Sequence, residues 1–272
     1  MTALILTYHS INVGGNEHSN NDHVALIMDL PLLAELGWTI TPLSTIIDAV
    51  IHRKLDPANK LVALTFDDGP WFDWYDLDHP THGQQKSMAN ILRDFSQTNA
   101  GRNQPHIEAT SFVIASPQAR AQLDVTCMVG RGWWGDEWWQ QAQSEGVIRV
   151  QNHSWDHNHT TLDSTAILSE KGRFSAVSTY QEADAEIRQA ADYLDSICGA
   201  GTSTILAYPY GETSDYLVRE YLPDHMPEHR LAAALTTEPA YVTNDSNRWL
   251  IPRFVCGCDW KSTEDLRNIL QQ

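Results

Sequence analysis

Cysteine is scarce in this chain. Its four residues, Cys127, Cys198, Cys256 and Cys258, are spread over 272 positions, too few and too scattered for a disulfide framework. Cys256-Gly-Cys258 is a CxC with no second CxxC, so a zinc ribbon has no support and the thiols read as free. Positive charge is also short: 18 Lys and Arg stand against 35 Asp and Glu, a formal net charge of −17. A surface of that sign repels a polyphosphate backbone, which argues against nucleic acid and anionic membranes as partners. Long apolar runs are missing as well. The opening Met1-Thr-Ala-Leu-Ile-Leu-Thr-Tyr-His9 has neither the basic start of a signal peptide nor the length of a transmembrane helix. Read as it stands, the chain is expected in the cytoplasm with no membrane insertion, or exported if a leader has been removed. Without a Pro/Ser-rich linker or an internal repeat to divide it, residues 1–272 read as a single domain of unspecified oligomeric state.

What is present is ordinary globular composition, 42% hydrophobic and 19% charged, in a chain long enough to bury about three-quarters of its unfolded surface. Short β-type runs at Leu4–Tyr8, Trp38–Thr41, Leu61–Phe66, Ala109–Ala115, Val147–Val150, Thr204–Ala207 and Leu231–Thr236 alternate with helical-period stretches. The helical stretches lie near Val24–Leu36, Leu43–His52, Gln84–Phe95, Glu137–Ser144, Gln181–Ile197, Tyr216–Leu222 and Ser262–Leu270. Alternation of this kind predicts an α/β fold with a parallel sheet, either a closed or nearly closed barrel or an open doubly wound sheet. Pro70–Gly83 and Gly130–Asp136 read as long loops. Tryptophan is abundant at 10 residues, and Trp71, Trp74, Trp133, Trp134, Trp138, Trp139 and Trp155 crowd one part of the chain. Core packing accounts for Trp138 and Trp139 on a helix, while the loop tryptophans suit a platform for the apolar face of a sugar.

Three segments carry chemistry. Thr65-Phe66-Asp67-Asp68-Gly69-Pro70 puts two carboxylates at a strand end before a turn, where α/β barrels keep catalytic groups; a turn capping the next helix is the plainer reading. Asn152-His153-Ser154-Trp155-Asp156-His157 follows a strand and spaces two histidines four apart, so one helical turn would bring both imidazoles to one ion, although HxxxH also occurs on polar helix faces. His159, two residues on, would project to another side of such a helix. Ile205-Leu206-Ala207-Tyr208-Pro209-Tyr210-Gly211 runs from a strand into a Pro/Gly turn, either a plain connection or a loop presenting the Tyr210 N–H to an oxyanion.

TFDDGP, HSWDH and this third segment, in that order, resemble the polysaccharide deacetylase family of NodB-homology carbohydrate esterases, from about Leu4 to Phe254. The resemblance implies an irregular (β/α)7 barrel and hydrolysis of N-acetyl groups on carbohydrates containing N-acetylglucosamine. It implies Asp67 as general base, Asp68, His153 and His157 as ligands of a divalent metal, and Tyr210 as oxyanion donor through its main chain. The nucleophile would be a water activated by that metal. Zinc suits two imidazoles and a carboxylate best, and Co2+, Ni2+ or Mn2+ fit the same donors. The sequence departs from the family twice. Ala207 stands where the family has an Arg that supports the catalytic Asp, making Arg253 in Ile251-Pro-Arg-Phe254 a candidate substitute, or else a surface residue. No Leu-x-His follows Leu231 to supply the general acid. The opening Leu6-Thr-Tyr-His-Ser10, however, looks like the first strand of the circularly permuted, poly-N-acetylglucosamine deacetylase-like branch, in which His9 takes the acid's place. Competing readings are a same-fold hydrolase of a small amide or cyclic imide, a carbohydrate-binding relative without catalysis, and, last, a glycosidase, which would leave the histidines without a role.

Overall fold

The computed structural model describes residues 3–167 and 170–272. Its strands are β1 (Ala3–Tyr8), β2 (Thr39–Ile40), β3 (Leu61–Phe66), β4 (Leu77–His79), β5 (Gly83–Gln85), β6 (Ala109–Val113), β7 (Ile148–Asn152), β8 (Ile205–Ala207), β9 (Ala233–Leu235) and β10 (Phe254–Val255). Apart from the antiparallel hairpin β4–β5, they form one parallel sheet in the order β10-β1-β3-β6-β7-β8-β9, with β2 paired to the first residues of β3. Leu235 at the end of β9 bridges Ile251, and the N–H of Thr236 donates to the Ile251 carbonyl at 2.8 Å. The stretch leading into β10 thereby brings the far edge of the sheet back towards β1, giving the irregular barrel.

The strands are near-continuous apolar runs because both faces are covered. Alternate residues of β1 face opposite ways. Leu4, Leu6 and Tyr8 pack outward with Leu26, Leu30 and Leu33 of helix Asp22–Glu35 and Leu266 and Leu270 of helix Thr263–Leu270. Ala3 and Ile5 meet Ala63, Phe112, Ala207, Ala233 and Leu235 inside the barrel. The helices form for local reasons. In Met88–Gln97 the buried positions Met88, Ala89, Ile91, Leu92 and Phe95 fall on one stripe, and the Ser87 hydroxyl accepts from the Asn90 N–H at 3.1 Å to cap the first turn.

All seven expected strands occur, several of them shorter than expected. The hairpin β4–β5 lies within what read as a loop, because its short polar strands carry no apolar alternation. Helix Pro117–Cys127, absent from the expectation, buries only Ala119, Arg120, Leu123 and Asp124, a stripe too polar to show hydrophobic periodicity. Among the described residues, no helix is long and apolar enough to cross a membrane.

Candidate active site

The parallel register gathers the chemistry at the C-terminal ends of the strands. Tyr8 lies opposite Phe66, so His9 and Asp67 emerge side by side, and the Asp67 N–H donates to the Tyr8 carbonyl at 3.1 Å. Val113 lies opposite Asn152, so Ile114 and His153 emerge together. His9, Asp67, Asp68, His153, His157 and Tyr210 line one cleft.

Asp67 is buried and clamped by Arg253, which donates from Nη1 to Oδ1 at 2.8 Å and from Nη2 to Oδ2 at 2.9 Å. Burial is the largest single effect and would raise its pKa, but the guanidinium charge and its hydrogen bonds, with the neighbouring imidazoles, together outweigh it and hold the carboxyl well below the usual carboxylate range. Arg253 is 0% exposed, with Nε donating to the Thr236 carbonyl at 3.0 Å. Of the two readings open for it, the surface residue is therefore wrong. Ala207 contributes a carbonyl instead of a side chain, accepting from His153 Nδ1 at 2.8 Å.

A carbonyl can only accept, so Nδ1 is the donor in that bond, and Nε2 is the ring nitrogen left to meet an ion. Asp68 Oδ1 lies 3.7 Å from His153 Nε2 and 3.8 Å from His157 Nε2, and one donor atom from each residue falls within 4.8 Å of the others. These separations are too long for hydrogen bonds and near those of donors sharing an ion at about 2.0–2.2 Å. Burial, reinforced by the neighbouring imidazoles, pushes the His157 pKa well below its ordinary value, which keeps that ring neutral, as a ligand must be. The donor set fits a divalent cation.

Backbone strain shapes this set. Asp68 (φ 76°), Ser154 (φ 68°), His157 (φ 63°), Asn158 (φ 44°) and Tyr210 (φ 60°) all occupy the left-handed region, a conformation that persists only where the surroundings impose it. After Asp68 the chain must turn at Gly69 (φ 71°), where a Cβ would lie 2.3 Å from Val113 Cγ1. The Asp68 carbonyl then accepts from Trp134 Nε1 at 3.0 Å and from the Ile114 N–H at 3.3 Å. The histidines do not sit on a helical turn as their spacing suggested. Residues 153–159 form a loop, and its left-handed residues, instead of a 3.6-residue period, bring the two rings to centroids 4.8 Å apart. His159 consequently lines the same cleft instead of pointing away, with Nδ1 3.0 Å from Thr161 Oγ1 and Nε2 3.9 Å from Cys127 Sγ.

Tyr210 follows Pro209 and borders the cleft, its ring centroid 4.5 Å from that of His157. His9 is tied by its main-chain N–H to Asp22 Oδ2 at 2.7 Å, while its buried Nδ1 has no hydrogen-bond partner among the described residues. Trp74, Trp134, Trp138 and Trp139 are buried, which corrects the sugar-platform reading for Trp74 and Trp134. Trp71, Trp133 and Trp155 remain partly exposed. Sequence reasoning gave no functional place to Cys127 or Thr237, which line the cleft, or to Glu186, which bonds the histidine loop; these residues belong to no local motif and meet the site only through the fold.

Residues 54–223, more than half of the chain, match the family model described as polysaccharide deacetylase. A comparison with curated proteins finds no match. Among solved structures, the chain is similar to the Streptococcus pyogenes deacetylase PplD in complex with acetate (18% identity, 100% of this chain and 99% of that one, TM-score 0.66). It is similar also to IcaB from Ammonifex degensii (19% identity, 100% and 97%, TM-score 0.65). A de-N-acetylase from Aggregatibacter actinomycetemcomitans is a third (13% identity, 99% and 100%, TM-score 0.64). At these identities the structures establish a shared fold.

Proposed function

Because this chain belongs to the polysaccharide deacetylase family, we propose that it hydrolyses N-acetyl groups on a poly- or oligosaccharide containing N-acetylglucosamine. Asp68, His153 and His157 would hold a divalent cation, zinc before Co2+, Ni2+ or Mn2+. One observation carries the reading: a buried carboxylate fixed by Arg253 stands in the same cleft as a cluster of three metal-type donors. A protein that only binds sugar gains nothing from an ionised base beside such a cluster, and a glycosidase has no use for the histidines.

Amide hydrolysis needs a nucleophile at neutral pH, charge compensation at the carbonyl oxygen, and a proton for a poor leaving group. A bound cation supplies positive charge that acidifies water and polarises the acetyl carbonyl. The remaining tasks fall to the chain. Asp67, kept ionised by Arg253, accepts the proton of the attacking water. The Tyr210 main-chain N–H donates to the developing oxyanion. His9, whose Nδ1 is buried, uses Nε2 to protonate the departing nitrogen.

The test is acetate release from N-acetylglucosamine oligomers by protein stripped with EDTA, before and after Zn2+ or Co2+ is added back. Activity should disappear on stripping and return with the ion. Release that is indifferent to stripping would defeat the metal assignment, and acetate from small amides but never from oligosaccharides would move the same site to a small-amide substrate.

A further inference from the structure

Helix 180–198 is interrupted by a π-turn, Asp184–Arg188, and insertions of this kind are frequent at functional sites because they push a side chain out of helical register. Here the turn faces the histidine loop. Glu186, fully buried, accepts through Oε2 from the N–H groups of Trp155 (3.2 Å) and Asp156 (3.4 Å), two of the three residues between His153 and His157. Its neighbour Ile187 accepts through its carbonyl from Asn152 Nδ2 at 3.0 Å, and Asn152 Oδ1 accepts from the Ser154 N–H at 2.8 Å. One turn of one helix thus grips the loop on both sides of His153.

We propose that Glu186 is a positioning residue of the metal centre, its carboxyl clasping the peptide groups between the two histidines so that their ring nitrogens stay at ligand spacing. The inference rests on the reading that Asp68, His153 and His157 hold a cation. The loop needs such a clasp, because Ser154, His157 and Asn158 are all left-handed and would relax if the surrounding bonds were loosened. Glu186 faces no cation. Arg188 on the same turn is engaged by Asp184 and Asp192, Glu186 Oε1 has no partner among the described hydrogen bonds, and the nearby acid Asp156 accepts from the N–H groups of Asn158 (2.8 Å) and Ala166 (2.7 Å). Burial and Asp156 together push the Glu186 pKa well above its ordinary value. What the loop receives from Glu186 is an acceptor oxygen of carboxyl shape, which a glutamine reproduces.

The experiment compares Glu186→Gln, which keeps an acceptor oxygen, with Glu186→Met, which fills the space and offers none. Zn2+ affinity is measured by competition with a chromophoric chelator, and thermal unfolding is followed on the metal-free proteins. Glu186→Met should weaken Zn2+ binding by about 10–100-fold, the usual cost of losing a group that orients a ligand, while Glu186→Gln stays within about threefold of the unmodified protein. A role confined to stability would lower the metal-free Tm of Glu186→Met and leave its Zn2+ affinity intact, which would overturn the proposal. Equal weakening in both variants would overturn it too. If the unmodified protein binds no Zn2+, it is the underlying metal assignment that fails.

Discussion

A carboxylate as deeply buried as Asp67 stays ionised only beside a fixed positive charge, and Arg253 provides it through two parallel hydrogen bonds, a geometry a lysine could not reproduce. Removing one member of such a buried pair costs about 3–5 kcal/mol because the other charge is stranded. Asp67, Asp68, His153 and His157 were legible in the sequence because each sits in a short local motif. Arg253 was legible only as an alternative, since its partner lies 186 residues away and only strand order brings the two together. His9 is the residue whose role is most open to test. If it protonates the leaving nitrogen, His9→Ala should keep its metal and lose about 10²–10⁴-fold in turnover of an N-acetyl amide. The loss should be much smaller on an activated aryl acetate, whose phenolate leaves without a proton. Equal losses on both substrates, or no loss on either, would make His9 structural and turn attention to His159, which lines the same cleft.

At the scale of elements, the seven alternating strands and most helices were readable because a strand buried on both faces announces itself as an apolar run. The histidine segment was misread for a physical reason. A spacing of four fits a helical turn, and nothing in HSWDH reveals that bonds from Asn152, Asp156 and Glu186 will hold its backbone in left-handed conformations instead. The consequence for metal binding is specific. His153→Ala should abolish stoichiometric metal, whereas His159→Ala should retain one equivalent although His159 lines the cleft, because its ring nitrogens face Thr161 and Cys127. Elemental analysis of the purified variants decides, and loss of metal from His159→Ala would enlarge the ligand set.

Over the whole molecule, buried carboxylates pull stability in opposite directions with pH. Asp67 has a depressed pKa, so its contribution is present above the unfolded carboxylate value of about 3.9 and is lost in strong acid. Asp73 is buried between the hydroxyls of Ser10 (2.5 Å) and Ser111 (2.6 Å). Burial outweighs those bonds and lifts its pKa to about 7, with the nearby Asp68 and Asp67 adding to the rise. A raised pKa means the opposite sign: its contribution is complete below about 3.9 and is lost as pH climbs through 7. Between pH 5 and 7.5 this one group should remove roughly 2–3 kcal/mol of stability. In denaturant titrations of metal-free protein, Asp73→Asn should therefore fall less across that range than the unmodified chain. Parallel pH curves would show that Asp73 does not titrate there.

The way the barrel comes round on itself also bears on how the protein is made. Asp67 is synthesised early, yet the guanidinium that keeps it charged arrives with Arg253, 186 residues later and just ahead of β10. Any partial fold that enclosed Asp67 before Arg253 was in place would favour its neutral form, because burial without a counter-charge disfavours the carboxylate. A fragment ending before Arg253 would hold the carboxylate and histidine motifs and still lack the charge that keeps Asp67 ionised.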